Sequence, residues 1–328
     1  MTKSATYLPF LNGRYDVVPG LSRFGRDFGN GDADQQVFQL DDQYPRYRAA
    51  KLGARTERLS KYVVKHELSE TVAGRIARFI SSRLAIEHPQ RFQLLDDQDA
   101  SELKCQLTNE RLRFDRAGRL IAADGQVVPQ YAHAIDALAS QVQEDLAIVS
   151  TDGDRHWVSA IHLCFPNHWA AEDKVGRDFI SVHEPVAGIE RINRDAQAIV
   201  RLMTQATQGQ VRFAWGIATD NQLNHHPEPP PNAHRATNTA RTFDPAHPQA
   251  FVRVERQTIW GFPDVGAALF TIRTYFLDCQ ILAANPPHRE ALIAAIKSMS
   301  AESLHYKGMV AMRDSLLTWL EFSDAAAT

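Results

Sequence analysis

Apolar and polar positions alternate with period two through the middle of this chain and repeat every three to four residues toward its ends. Leu146 to Ser150 and Trp157 to Phe165 flank Thr151-Asp152-Gly153-Asp154, a polar break with a glycine, which predicts an antiparallel hairpin. Beyond Pro166 the period changes, with Trp169, Ala170, Asp173, Lys174 and Arg177 spaced as short helical turns until Pro185 and Gly188 stop them. His183 therefore lies on a short helical or irregular segment beside a sheet. Ile189, Ile192, Ala196, Ile199 and Val200 predict a helix over 189–206, ended by Gly209. Val211 to Thr219 alternates bulky Val211, Phe213, Trp215 and Ile217 with Arg212, Ala214, Gly216 and Ala218, so one strand face is nearly bare and has room for a flat ligand. Phe251 to Trp260 and Ala267 to Leu277, joined by residues 261–266, predict a long hairpin.

Toward the N-terminus, residues 1–50 show little periodicity and read as an extended arm ending at Tyr44-Pro45. Stripes of Leu59, Val63 and Val64, then of Val72, Ile76, Phe79, Ile80 and Leu84, predict two helices over 46–89. Residues 90–130 offer one small hairpin around Gly118, and Tyr131 to Gln143 reads as helical. Residues 224–248 are a Pro- and His-rich loop too long for a simple connection. Helices are expected at 287–299 and 308–321. The sum is an α+β fold: an antiparallel sheet of about five strands with helices inserted after the second, compatible with a PAS-like domain flanked by N- and C-terminal helices. The expected division is an arm and helical region over 1–130, a PAS-like core over 131–285 and C-terminal helices over 286–328, packed as one unit.

Composition removes several functions. The chain has 328 residues with a formal net charge of -3, so no basic excess is present to meet a phosphate backbone, and nucleic acid is not an expected partner. No stretch approaches the roughly 18 apolar residues of a membrane span, and the N-terminus lacks a signal-peptide pattern; the expectation is a cytoplasmic protein without membrane attachment. The three cysteines, Cys105, Cys164 and Cys279, are too scattered for a disulfide framework or an iron-sulfur site, so an electron-carrying cluster would have to reside on another chain. Gly25, Gly29 and Gly31 miss the dinucleotide spacing, and neither a P-loop nor a GxSxG elbow occurs. His225, His226 and His234 with Glu228 suggest a metal site, without any helical ligand spacing to support it.

The remaining chemistry sits on the long hairpin and at His183. Alternation puts Arg253, Glu255 and Gln257 on one side of their strand and Arg256 on the other, while Thr271, Arg273 and Tyr275 form a second polar row. Such rows are either a solvated ladder, for instance Glu255 with Arg273, or the walls of a polar chamber. His183 is either a hydrogen-bonded structural residue or a neutral imidazole offered to a metal.

Several separated segments, in order, resemble one family. QEDLAIV at 143–149, CFPNHW at 164–169, Lys174 with Gly176, VHEPVAG at 182–188, FVRVERQTI at 251–259, LFTIRTY at 269–275 and YKG at 306–308 are similar to the haem-binding α subunit of haem-dependent oxidative N-demethylases, also described as dimethylamine monooxygenases. The resemblance covers roughly the C-terminal two thirds and is weaker over 1–130. It implies haem b in this chain and oxidation of a small secondary amine by O2 with NADPH-derived electrons, giving a primary amine and formaldehyde. It also implies partner subunits carrying FMN, a [2Fe-2S] centre and tetrahydrofolate. Within it, His183 is the expected proximal iron ligand, with His168 and His234 as competitors. Trp215, Arg253 and Arg256 are expected to contact the haem, and Glu255, Gln257 and Arg273 to act on oxygen and substrate. The rival readings are a haem-based gas sensor and a zinc hydrolase built on the histidine-rich loop.

Overall fold

The computed structural model describes residues 2–97, 99–189, 193–231 and 241–322. In chain order its elements are β1 (Ser22–Arg23), α1 (Tyr44–Tyr62), β2 (Val63–Lys65), α2 (Glu70–Glu87), β3 (Phe92–Asp96), β4 (Ala100–Cys105), β5 (Glu110–Asp115), β6 (Leu120–Asp124), α3 (Ala134–Ala139), β7 (Asp145–Asp152), β8 (Arg155–His162), α4 (Phe179–His183), α5 (Ala196–Gln205), β9 (Gln210–Ala218), β10 (Phe251–Phe262), β11 (Ala267–Asp278), α6 (Cys279–Ala283), α7 (Pro286–Lys297), α8 (Ala301–Tyr306) and α9 (Arg313–Phe322). The fold mixes helices with antiparallel sheet. The five strands expected from alternation are β7 to β11, and they form the middle of a seven-stranded sheet ordered β1-β9-β10-β11-β7-β8-β2. The short strands β1 and β2 close its two edges.

Three expectations are corrected. The single small hairpin over 90–130 is a four-stranded sheet, β3-β4-β5-β6; its outer strands are wet on one or both faces, so their apolar signal is thin. The helix expected over 131–143 shortens to α3, capped where the His133 ring accepts from the Asp136 amide. The helix expected over 308–321 starts later, as α9, and a short helix that was not expected, α8, precedes it; between them Gly308 has a φ of 63°, in the left-handed region that ends helices. Residues 190–192 of the expected 189–206 helix lie outside the described residues, and α5 is its observed part.

The two long strands set the geometry. β10 and β11 pair from Phe251↔Asp278 to Phe262↔Ala267 around a 3-10 turn at Pro263–Val265 and Gly266 at φ 59°. Register alone then sorts side chains. Val254, Arg256, Thr258 and Trp260 share one face with Tyr275, Arg273, Thr271 and Leu269, and Trp215 joins them from β9. We call this the core face. Helices α2 and α3 and the small sheet cover its β7 end through Ile76, Ile80, Leu103 and Leu138 against Leu146, Ile148 and Trp260. The C-terminal helices cover its β9 end through Leu292, Ile296 and Leu316 against Trp215, Ile217 and Val252. Burying an aliphatic or aromatic side chain of this size contributes about 1.5–3 kcal/mol. That apolar layer supports a few buried charges, each of which has a partner. Arg273 donates to Asp41 at 2.8 Å and lies over the Tyr47 ring, and Arg55 pairs with Asp136.

The opposite face carries Arg253, Glu255, Gln257 and Ile259 with Phe276, Thr274, Ile272 and Phe270. Here α5 and α4 cover one end, where Ile199, Met203 and Phe179 meet Val149, Ile259, Ala268 and Phe270. The approach of α5 is close enough that Gly261 admits no side chain: a methyl group there would stand 2.4–2.6 Å from Thr204 O, Ala206 N and Met203 O. Gly261→Ala therefore has to push α5 outward, at a cost of about 1–3 kcal/mol. A lowered urea midpoint with an unchanged slope is expected, and an unchanged midpoint would show that α5 does not bear on the strand.

Candidate functional site

The polar side chains of the second face converge on Glu255. Its strand neighbours in register are Ala214 on β9 and Thr274 on β11, both small. Arg253 Nη1 donates to Glu255 Oε1 at 2.5 Å, and Gln257 Nε2 donates to Oε2 at 3.1 Å. The second Arg253 nitrogen donates to Phe165 O at 2.8 Å and Thr274 Oγ1 at 3.3 Å, which fixes the guanidinium across the sheet. Arg253, Glu255 and Gln257 thus act as one oriented group. Several of their neighbours remain unsatisfied: Arg253 Nε, Gln257 Oε1, Arg212 Nε and Arg241 Nε are buried without a hydrogen-bond partner among the described residues. Unpaired buried polar atoms are costly, and the core face carries some as well, at Arg256 and Arg273.

The bare face of β9 does share this side, as Arg212, Ala214 and Gly216 align with Gln257, Glu255 and Arg253. It is not open, however. Lys307, just after α8, lays its stem on Gly216, with Cδ 3.4 Å from where a methyl group on that glycine would stand. Burial pulls its ammonium down to about 8; Glu255 opposes this, while Arg253, Arg212 and Arg241 add to it. Tyr306 beside it is raised by burial and by the Glu255 charge.

A histidine corner adjoins the group. The Asp220 carboxylate accepts from His225 Nε2 at 2.9 Å, which leaves His225 Nδ1 as the buried nitrogen without a partner among the described residues. His168 stacks on that ring with centroids 5.1 Å apart, and its backbone sits at φ 64°, a strained value for a residue with a side chain. Burial, then the Arg241 charge, hold His168 down to about 3. Arg241 itself donates to Ile217 O and to Lys307 O, tying this corner to the lysine.

His183 lies on the same side of the sheet. Asp178 caps α4 by accepting from Ser181 N at 2.7 Å, and His183 Nδ1 donates to Phe179 O at 2.7 Å. A carbonyl only accepts, so Nδ1 holds the proton and Nε2 carries the lone pair, the arrangement a metal-ligating histidine uses. Burial lowers its pKa, with further lowering from Arg212 and Lys174, so it stays neutral. Arg212 thus lies within electrostatic reach of both His183 and Lys307.

The other expected residues are elsewhere. Trp215, Arg256 and Arg273 occupy the core face, back to back with Glu255. Trp215 packs on Phe10 and Tyr15, Arg256 donates to Gln36 O, and Arg273 pairs with Asp41 rather than with Glu255. The Glu255–Arg273 ladder is thereby replaced by the Arg253–Glu255 pair along one strand. His225 is held by Asp220 and His226 bonds to the Glu228 backbone, so the loop does not gather them around one point; His234 lies outside the described residues. Among the described residues, one trio offers convergent metal-ligand atoms, Asp145, His162 and Cys164, and it is fully buried. Both Asp145 oxygens there already accept backbone amides, from Cys164 and Phe165. Two open clefts, of about 330 and 650 Å3, lie along β1, and neither is lined by any of these polar groups.

Residues 30–317 match the family model described as haem-dependent oxidative N-demethylase, alpha subunit-like. The chain belongs to this family. The match takes in every strand except β1, and with them Glu255, His183, His168 and Lys307. The family description is of haem-dependent oxidative chemistry and of one subunit in a multi-subunit assembly. None of the described helices is long and apolar enough to cross a membrane.

No chemical role for Lys307, Arg212 or Arg241 follows from the sequence. They come from three separate segments; Arg212 stands in the bare row of β9 and Lys307 in the YKG segment, and nothing in the sequence joins them. The corner makes a direct prediction. The His168 ring stays uncharged from pH 5 to 8, so its NMR carbon shifts should be flat across that range; a midpoint near the usual histidine value would contradict its burial among arginines.

Proposed function

We propose that this chain is the haem-binding, amine-oxidising subunit of an oxidative N-demethylase. It would take a small secondary amine such as dimethylamine, O2 and NADPH-derived electrons to a primary amine and formaldehyde. The observation that carries this reading is the Glu255 carboxylate, held by Arg253 and Gln257 between the small residues Ala214 and Thr274 on the His183 side of the sheet. An oriented negative group flanked by small residues is what a small ammonium ion needs. A diatomic gas needs no such charge, which weighs against the sensor reading.

The residues present fit a haem group in two respects. His183 Nε2, freed by the Nδ1 bond to Phe179 O, would hold the iron, and Arg212, with its unpaired Nε, would meet the anionic porphyrin edge. When bound, haem supplies oxygen activation and one-electron oxidation. The chain's own residues do the rest. Glu255 receives the substrate N–H in a charge-assisted hydrogen bond and accepts the proton that the amine must lose before it is oxidised. Arg253 and Gln257 keep the two carboxylate oxygens facing the substrate. Trp215, Arg256 and Arg273, on the core face, brace the strands that carry these groups.

Electrons would arrive from a partner subunit with FMN and a [2Fe-2S] centre, and formaldehyde would leave to a tetrahydrofolate-binding subunit. The scatter of the three cysteines and the absence of a nucleotide motif in the sequence agree with that division of labour. The PAS-like description rests on the succession of two strands, short helices and three strands, with β7 lying beside β11 in the sheet. A cytoplasmic location is part of the same proposal.

The test is to load the purified chain with haem, record its spectrum with and without dimethylamine, and measure formaldehyde release with NADPH and a reductase. A Soret band that shifts with the amine, and amine-dependent formaldehyde, are expected; a band with no amine response would favour the sensor. His183→Ala should lose most of its haem, whereas full haem content with an unaltered spectrum would remove His183 as the ligand. Glu255→Gln should keep the haem and lose about 10²–10⁴-fold in turnover.

A further inference from the structure

The charges on the site face do not balance. Arg212, Arg241 and Arg253 each lie within electrostatic reach of Lys307, which makes four cations, and Glu255 is the carboxylate that faces Lys307 among them. Asp220 is a second acid near Arg241, but His225 already engages it. Into this group the proposed substrate would bring one more positive charge. Arginines do not release protons in proteins. One of the four cations can discharge, and it is Lys307.

Its surroundings are built for that. The stem lies against Gly216, with Cδ and Cε 3.4 and 4.0 Å from where a methyl group on that glycine would stand, and the backbone carbonyl is fixed by Arg241. The groups that face it are Glu255 and Arg253 from β10, Arg212 from β9, Arg241 from the segment before β10, and Tyr306 on its own segment; Tyr15 stands behind Tyr306 and Arg212. Burial keeps both tyrosines protonated, and His168 is neutral, so none of these rings changes charge between pH 6 and 9. Lys307 is pulled down to about 8 and does change.

We propose that Lys307 is a positioning residue that exchanges its charge for that of the substrate: an ammonium ion binds beside Glu255 as Lys307 releases one proton to solvent. The balance is one cation in and one proton out, with no bond to carbon made or broken. This rests on the amine-oxidising reading and adds to it the means by which a cation enters a chamber already crowded with cations. The same exchange selects for ligands that carry a single compact positive charge, because a neutral ligand leaves Glu255 to Lys307.

The direction with pH follows. Alkylammonium ions remain charged through pH 6–9, as ordinary lysines do. Below pH 8 each amine bound must displace a proton, so affinity rises about tenfold per pH unit toward 8 and then levels. The experiment is to titrate the haem-loaded chain with dimethylamine, reading the Soret shift from pH 6 to 9.5, and to count protons released by calorimetry in two buffers of different ionisation enthalpy. The wild type should release one proton per amine at pH 7 and almost none at pH 9.5. Lys307→Met keeps an apolar stem on Gly216 and should bind the amine with flat, high affinity and no proton release. Lys307→Arg holds a charge that cannot be discharged and should bind at least tenfold more weakly than wild type at pH 8 and above.

A wild-type slope that survives in Lys307→Met, or that runs unbroken past pH 8, would mean that the amine enters as the neutral base and would overturn the exchange. Wild-type affinity in Lys307→Arg would do the same if the methionine variant does not fold. Absence of any amine-induced shift at every pH, in a chain that holds haem, would instead overturn the amine-oxidising reading and this inference with it.

Discussion

The register that pairs Glu255 with Ala214 on one side and Thr274 on the other is the constraint on which the rest depends. In an antiparallel sheet a slip of one residue exchanges the two faces of a strand. β10 carries Arg253, Glu255 and Gln257 on one face and Arg256 on the other, so the same slip would bury Glu255 in the core and turn Arg256 toward the site. Twelve consecutive pairs with β11 and nine with β9 hold the register. The turn at Pro263–Val265 with Gly266 fixes where the pairing begins.

Charge is handled differently on the two faces. On the core face Arg273 pairs with Asp41 and Arg256 donates to a backbone carbonyl, although Arg256 Nε and Nη1 and Arg273 Nε have no partner among the described residues; removing Arg273 would leave Asp41 unpaired. Arg273 holds the Asp41 carboxyl below the usual range although burial alone would raise it. That stabilisation is present at neutral pH and is lost as the pH falls through the lowered value. On the site face Arg253, Arg212 and Arg241 all act on Lys307, and Glu255 opposes them.

Much of this was legible in one dimension. Alternation identified all five central strands, the polar row on β10, the bare row on β9 and the short segment that carries His183. Two things were not. Alternation says which residues of one strand share a face, but it cannot say which face of the next strand they join, so Glu255 was paired with Arg273, one residue off the register that puts it beside Thr274. The other was Lys307, contributed by a segment far along the chain that reaches the sheet over a glycine. Weak alternation in strands wet on one or both faces concealed most of the small sheet as well. The family resemblance supplied what periodicity lacked, since VHEPVAG, distant in sequence, lies on the side of the sheet to which FVRVERQTI turns Arg253, Glu255 and Gln257.

The central claim is that haem and substrate meet on the Glu255 face with His183 at the iron. A crystal structure of the haem-loaded chain with dimethylamine bound tests it most directly. The account places the iron on His183 Nε2, the porphyrin carboxylates toward Arg212 and the amine nitrogen within hydrogen-bond distance of Glu255. Iron bound by His168 or His225, or a haem on the Trp215 and Arg273 face, would contradict it.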